Sequence, residues 1–199
     1  MPRMRRTTML AFVVLGAALA ALAFSSTAGR LADDPAPALP SVAAGPQSVQ
    51  LDWRETYGSG GERIVFEVES LEVHENGWQA RIAVTNDTSV PYALGDPRAT
   101  LDRAFGLKLF ATGDDSELER RNRNGTLPIT RPASRYEPSL PKLLTPQATW
   151  RGTISAPGRL VARSWVRVVF GTLVVVGSPP DGLDESLVWV TDHAYQLQQ

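Results

Sequence analysis

Residues 64–86 read IVFEVESLEVHENGWQARIAVTN, and the spacing of their apolar side chains decides the fold class. Ile64, Phe66 and Val68 alternate with Val65, Glu67 and Glu69, the period of a strand with one face turned to a core. At Ser70 the parity shifts to Leu71 and Val73. One extra residue swaps the faces of a strand, so this spacing predicts a bulge or bend near Ser70. Asn76-Gly77 then supplies two residues that tolerate the positive φ of a type I′ hairpin turn. The returning strand sets Trp78, Ala80, Ile82, Val84 and Asn86 on one face, with Gln79, Arg81, Ala83 and Thr85 on the other.

Strand patterns continue on both sides of this hairpin, at residues 49–53, 106–110, 149–155, 165–170, 173–176 and 187–191. Gly or Pro separates most of them. Past the N-terminal segment, the residues that favour a helix are those of 115–123, with Ser116 as the expected cap. About seven or eight short strands in one chain predict an all-β, two-sheet antiparallel sandwich. Residues 111–147 form a long excursion within it, carrying Asp114, Asp115 and Glu117, then Arg120, Arg121 and Arg123, then five prolines. The expectation is a partly ordered segment that packs through Leu127, Ile129, Tyr136, Leu140 and Leu143 and is dispensable for the β fold.

The first 28 residues have the order of a secretory signal. Arg3, Arg5 and Arg6 precede an uncharged run of 16 residues, 9–24, and the small polar stretch Ser25-Ser26-Thr27-Ala28. Cleavage before Gly29 and retention of residues 9–28 as an N-terminal anchor helix both put the body on the outer side of the membrane. Residues 29–47 hold the prolines of a Pro/Ala linker, which leaves 48–199 as the folded domain. The chain has no cysteine, so neither a lipidated cysteine nor a disulfide holds it. Removing the three N-terminal arginines leaves 17 basic against 21 acidic residues, a balance that argues against a nucleic-acid partner.

Catalytic motifs are missing. Gly58-Ser59-Gly60-Gly61 lacks the spacing of a nucleophile elbow and reads as a turn. His74 and His193 are the two histidines, each in a context that suits a surface residue. Glu72 and His74 share a strand face but make too few ligands for zinc, and Asp114, Asp115 and Glu117 lack a calcium-loop pattern. No cofactor, metal or catalytic residue is therefore assigned. Arg120, Arg121 and Arg123 form the densest basic cluster, readable as an anion contact or as pairing with Glu117 and Glu119. The five tryptophans fall in strand patterns and are expected to pack. Asn86-Asp-Thr and Asn124-Gly-Thr match a glycosylation sequon by pattern only.

The strand ending Val84-Thr-Asn86, the stretch from Pro146 to Pro157 and the strand containing Val166-Arg-Val-Val-Phe170 together resemble a known pattern. It is that of the exported immunoglobulin-like domains of actinobacteria and other Gram-positives, a family of unknown function similar in fold to the mycobacterial secreted immunoprotective antigen. Gln147 stands where those domains have glycine. The resemblance implies an immunoglobulin-like sandwich and carries over no catalytic residue. The function expected is that of an exported, cell-surface or secreted binding module whose partner is an envelope protein or wall polymer. The recognition surface expected is the excursion, through Arg120, Arg121, Arg123 and Tyr136. The alternative is an exported hydrolase or metal-dependent protein built on His74 or His193.

Overall fold

The structure is a computed structural model and describes residues 42–95 and 104–199. The signal or anchor segment and residues 29–41 of the expected linker lie outside the described residues. In chain order the elements are β1 (Gln47–Ser59), β2 (Glu62–His74), β3 (Gly77–Asp87), β4 (Tyr92–Leu94) and β5 (Gly106–Phe110). Then come α1 (Asp115–Arg123), β6 (Arg131–Pro132), β7 (Arg135–Glu137), β8 (Leu143–Leu144) and β9 (Thr149–Pro157). The last three are β10 (Trp165–Val175), β11 (Ser186–Val190) and β12 (Tyr195–Gln196). They form an all-β sandwich of two antiparallel sheets. The first has the order β1-β2-β3-β9-β7, and the second the order β6-β5-β10-β4-β8. Along one edge of β10 run β5 and then β4, and along the other run β12 and then β11.

The bulge stands where the parity shift puts it. Val68 opposes Ile82 and Ser70 opposes Arg81, so Glu69 is the extra residue. Ile64, Phe66 and Val68 before it and Leu71 and Val73 after it are all buried. The neighbouring strand adjusts at the same level: β1 shifts register between Gln50 and Trp53, where Asp52 takes φ 48°. The turn differs from expectation. His74 pairs with Gly77, so Glu75 and Asn76 make the turn, and neither Asn76 nor Gly77 has a positive φ. Gly77 is needed for another reason: a Cβ there would lie 2.9 Å from the Ala156 carbonyl oxygen of β9.

The two sheets meet through rings and branched aliphatics. Phe66 of the first sheet lies 4.8 Å from Phe170 of the second and stacks on Trp189 at 5.4 Å. Each such side chain stabilises the sandwich by about 1.5–3 kcal/mol through the area it removes from water. Trp78 and Trp150 are buried in this core, and Trp53 and Trp189 pack against it, as their strand positions predict.

The excursion is built into the sandwich. It contributes β6 against β5, β7 against β9 and β8 against β4, so it supplies strands to both sheets. Of the packing residues expected, Tyr136 and Leu140 pack against the core, but Ile129 is 79% and Leu143 42% exposed, while Leu118 and Leu144 are buried. Strand alternation explains the swap at β8, where of two successive leucines only Leu144, opposite Tyr92, faces the core. α1 forms where helix was expected, but Asp114 rather than Ser116 caps it, accepting the Ser116 N–H at 2.9 Å. The end of the expected linker is docked on the body. Ala44 N–H donates to Leu160 O at 2.9 Å, Ala162 N–H to Val42 O at 2.8 Å, and Ala43 bridges to Val161.

Candidate binding groove

The outer face of the second sheet is where the sandwich stops being simple. Core-facing Val166, Val168 and Phe170 of β10 alternate with Arg167 and Val169, which point away from the first sheet and are nevertheless buried. What covers them is α1 and the segments joined to it. Arg167 is 0% exposed. Its Nη1 donates to Thr191 O at 2.8 Å and to Asp192 O, and its Nη2 to Gly113 O at 3.1 Å and Asp115 Oδ1 at 3.0 Å. Its guanidinium lies 5.5 Å from the Phe110 ring centroid. One planar fork thus ties the start of the helix to the segment that follows β11. Beside it on β5, buried Lys108 donates to Pro128 O at 2.7 Å and fixes the chain returning from the helix.

A second buried charge holds the same region from the first sheet. Glu55 lies on the inward face of β1, where the alternation of Val49, Leu51, Trp53 and Tyr57 would place an apolar residue. Its Oε2 accepts from Trp189 Nε1–H at 2.6 Å and Asp192 N–H at 3.1 Å, while Oε1 accepts from His193 N–H at 3.1 Å. The His193 ring completes the set, with Nδ1 2.7 Å from Oε1 and the ring stacked 5.6 Å from Trp53. Burial, then the charges of Glu55 and Asp115, raise the Asp192 carboxyl above the ordinary aspartate range.

Between α1 and β11 these anchors leave an open groove of about 690 Å³. Leu118, Asn122 and Leu127 line it on the helix side, and all five residues of β11 line it on the other. Tyr57 also lines it and donates its hydroxyl to Asp184 Oδ2 at 2.6 Å, a bond that pushes the phenol up to about 12. Glu119, Asp184 and Asp192 make the lining acidic. Among the described residues no three His, Asp or Glu side chains converge to hold a metal. The arrangement has apolar walls, an acidic lining and a strand along its length.

The structure separates the four residues expected to form a recognition surface. Arg120, Arg121 and Arg123 lie in the last turn of α1, whereas Tyr136 lies in β7 of the first sheet. Arg121 is engaged: its Nε donates to Glu117 Oε1 at 2.8 Å and its Nη1 to Thr126 O at 3.3 Å. The Thr112 hydroxyl, and then Arg121, hold the Glu117 carboxyl below its usual range. Arg120 and Arg123 are exposed. Tyr136 is half-buried with its ring 6.1 Å from Phe105, and burial pushes its phenol up. Of the histidines, His74 is exposed with Nε2 3.8 Å from Glu72, and His193 belongs to the Glu55 cluster.

Other motifs resolve into structure. Asn86 is buried and donates its amide to Val90 O at 2.8 Å and Leu144 O at 3.0 Å, so it has no access for a glycan. Gln147 has φ 61°, the conformation glycine adopts freely, and donates its N–H to Asn86 O at 2.7 Å. Sequence reasoning missed Glu55, Lys108 and Arg167. The available signal was a charged residue at inward parity in β1 and at outward parity within the apolar strands β5 and β10. No protein-family model matches the chain, and no curated protein and no solved structure matches it.

Proposed function

We propose that this chain is an exported binding module without catalytic activity that takes its partner in the groove between α1 and β11. The observation that carries the reading is the groove itself. Two buried cations and one buried carboxylate fix its walls, and apolar side chains and the acids Glu119, Asp184 and Asp192 make up most of the lining. Export is supported by the signal order of residues 1–28, and the partner we expect is an envelope protein or wall polymer. The immunoglobulin-like type is proposed on two antiparallel sheets together with the Val84-Thr-Asn86 and Pro146-to-Pro157 patterns. Binding is favoured over a histidine-dependent reaction because the His193 ring is committed to Glu55 and Trp53, and His74 stands exposed at a hairpin.

A photoreactive side chain placed at Asn122, and separately at exposed Arg81 on the outer face of the first sheet, tests the site in native envelopes. Discrete adducts from Asn122 and none from Arg81 are expected. No adduct from Asn122, or equal labelling from both positions, would overturn the assignment.

A further inference from the structure

We infer that the groove takes an extended, positively charged peptide segment, which pairs with the outward edge of β11 as an added strand. This deepens the binding reading above and rests on it. Among the described residues β11 pairs with β10 alone. Val190 opposes Val169, and the next residue, Thr191, donates its N–H to Val168 O at 3.0 Å. In an antiparallel ladder hydrogen-bonded and non-hydrogen-bonded pairs alternate, so the Val169–Val190 pair is of the second kind. Val190 therefore turns its N–H and C=O groups away from β10. Beyond the register shift between Phe170 and Leu173, Glu185 O accepts from Val175 N–H at 2.9 Å, so the same alternation along β11 turns Val188 outward too.

Edge strands in stable proteins are blunted by charges, prolines or bulges. β1, the edge of the first sheet, has such a device in the bulge at Asp52. β11 reads Ser186-Leu-Val-Trp-Val190 and has neither charge nor proline. All five residues of β11 line the groove together with Leu118 and Leu127, which offer apolar surface to the alternate side chains of an incoming strand.

Charge selects the occupant. Residues 177–192 contain Asp181, Asp184, Glu185 and Asp192 and no Lys or Arg. Glu119 joins Asp184 and Asp192 in lining the groove. Lys108, the cation that lines it, is directed at Pro128 O. A second copy of this chain would set these acids against themselves, and an anionic surface would meet the same repulsion. A basic strand gains from all three acids, and would also relieve the crowding of Asp192 by Glu55 and Asp115.

The test uses the full chain and a fluorescent peptide of about ten alternating Lys and Val residues, read by anisotropy. Saturable binding is expected, weakened at least about tenfold when alternate peptide nitrogens are methylated, because the methyls remove the strand hydrogen bonds. The alternating Glu/Val peptide should not bind. Val190→Pro should weaken binding to a similar extent, and Glu119→Lys with Asp184→Lys should weaken it without touching the β11 backbone. The methylated peptide is tested on the unaltered protein, so its result holds even if Val190→Pro does not fold. Equal binding of the methylated peptide, or no binding of the Lys/Val peptide while Asn122 adducts persist, overturns the strand proposal and leaves the groove reading in place. Loss of the Asn122 adducts overturns the groove reading beneath it. Self-association abolished by Val190→Pro assigns the edge to a second copy and likewise overturns the proposal.

Discussion

Arg167 does more than any other single side chain to shape the outer face of the second sheet. Its Asp115 partner is 73% exposed, so that ion pair contributes little, and the bonds to the carbonyls of Gly113, Thr191 and Asp192 carry the stabilisation. Arg167→Met removes the donor and leaves the buried Thr191 carbonyl, and the part-buried ones of Gly113 and Asp192, without it. Urea unfolding should show a loss of about 1–3 kcal/mol. Arg167→Lys should recover only part of it, because an ammonium cannot reach all three carbonyls as a fork does. Two acids give opposite pH signatures. Burial raises the folded pKa of Asp192, so its ionised form costs stability at neutral pH, and the cost disappears below the ordinary aspartate range. Asp192→Asn should therefore raise the thermal midpoint at neutral pH and leave it unchanged near about pH 3. The Thr112 hydroxyl lowers the folded pKa of Glu117, so its contribution is present above the ordinary glutamate range and is lost as pH falls through the depressed value. Glu117→Gln should melt earlier than the parent at neutral pH and converge with it in acid.

At the scale of elements, the excursion divides into a helix that covers a sheet face and three short strands that extend the sheets. The two parts should respond differently to excision. Replacing residues 111–130 with a short Gly/Ser loop removes α1, the Gly113 acceptor of Arg167 and the Pro128 acceptor of Lys108. The β circular-dichroism spectrum should persist while the melting midpoint drops. Replacing 111–147 also strips β6, β7 and β8, exposing Phe105 where Tyr136 now covers it, and should abolish cooperative melting. Unchanged melting of the longer replacement would show that those strands are not needed. From sequence the helix was legible because Glu117, Leu118 and Glu119 tolerate helix after a residue, Ser116, that can cap. The strands were not, because two or three residues carry too little periodicity to be seen without their partners.

At the scale of the whole molecule, residues 42–44 before β1 are docked on the sandwich. A chain lacking residues 1–41 should fold as the parent does. Removing five further residues takes away the burial of Ala44 and its bond to Leu160, and should cost about 1–3 kcal/mol in a denaturant titration. Mass spectrometry of the protein from native envelopes should find the N-terminus at Gly29, or residues 9–28 retained as an anchor. An intact N-terminus recovered from cytosol would sink the export proposal.

The sequence by itself determined the longer strands, the bulge beside Ser70 and the all-β class, because alternation and its interruption are local properties of neighbouring residues. Only tertiary structure decided that β11 pairs with β10 alone among the described residues, that Glu55 and Arg167 are buried, and that a groove lies between α1 and β11. Glu55 and His193 stand 138 residues apart along the chain, and Arg167 reaches acceptors on both sides of its own strand. A buried charge is tolerated only where the fold brings it enough partners. Those partners come from distant segments, and nothing in the residues adjacent to either charge announces them.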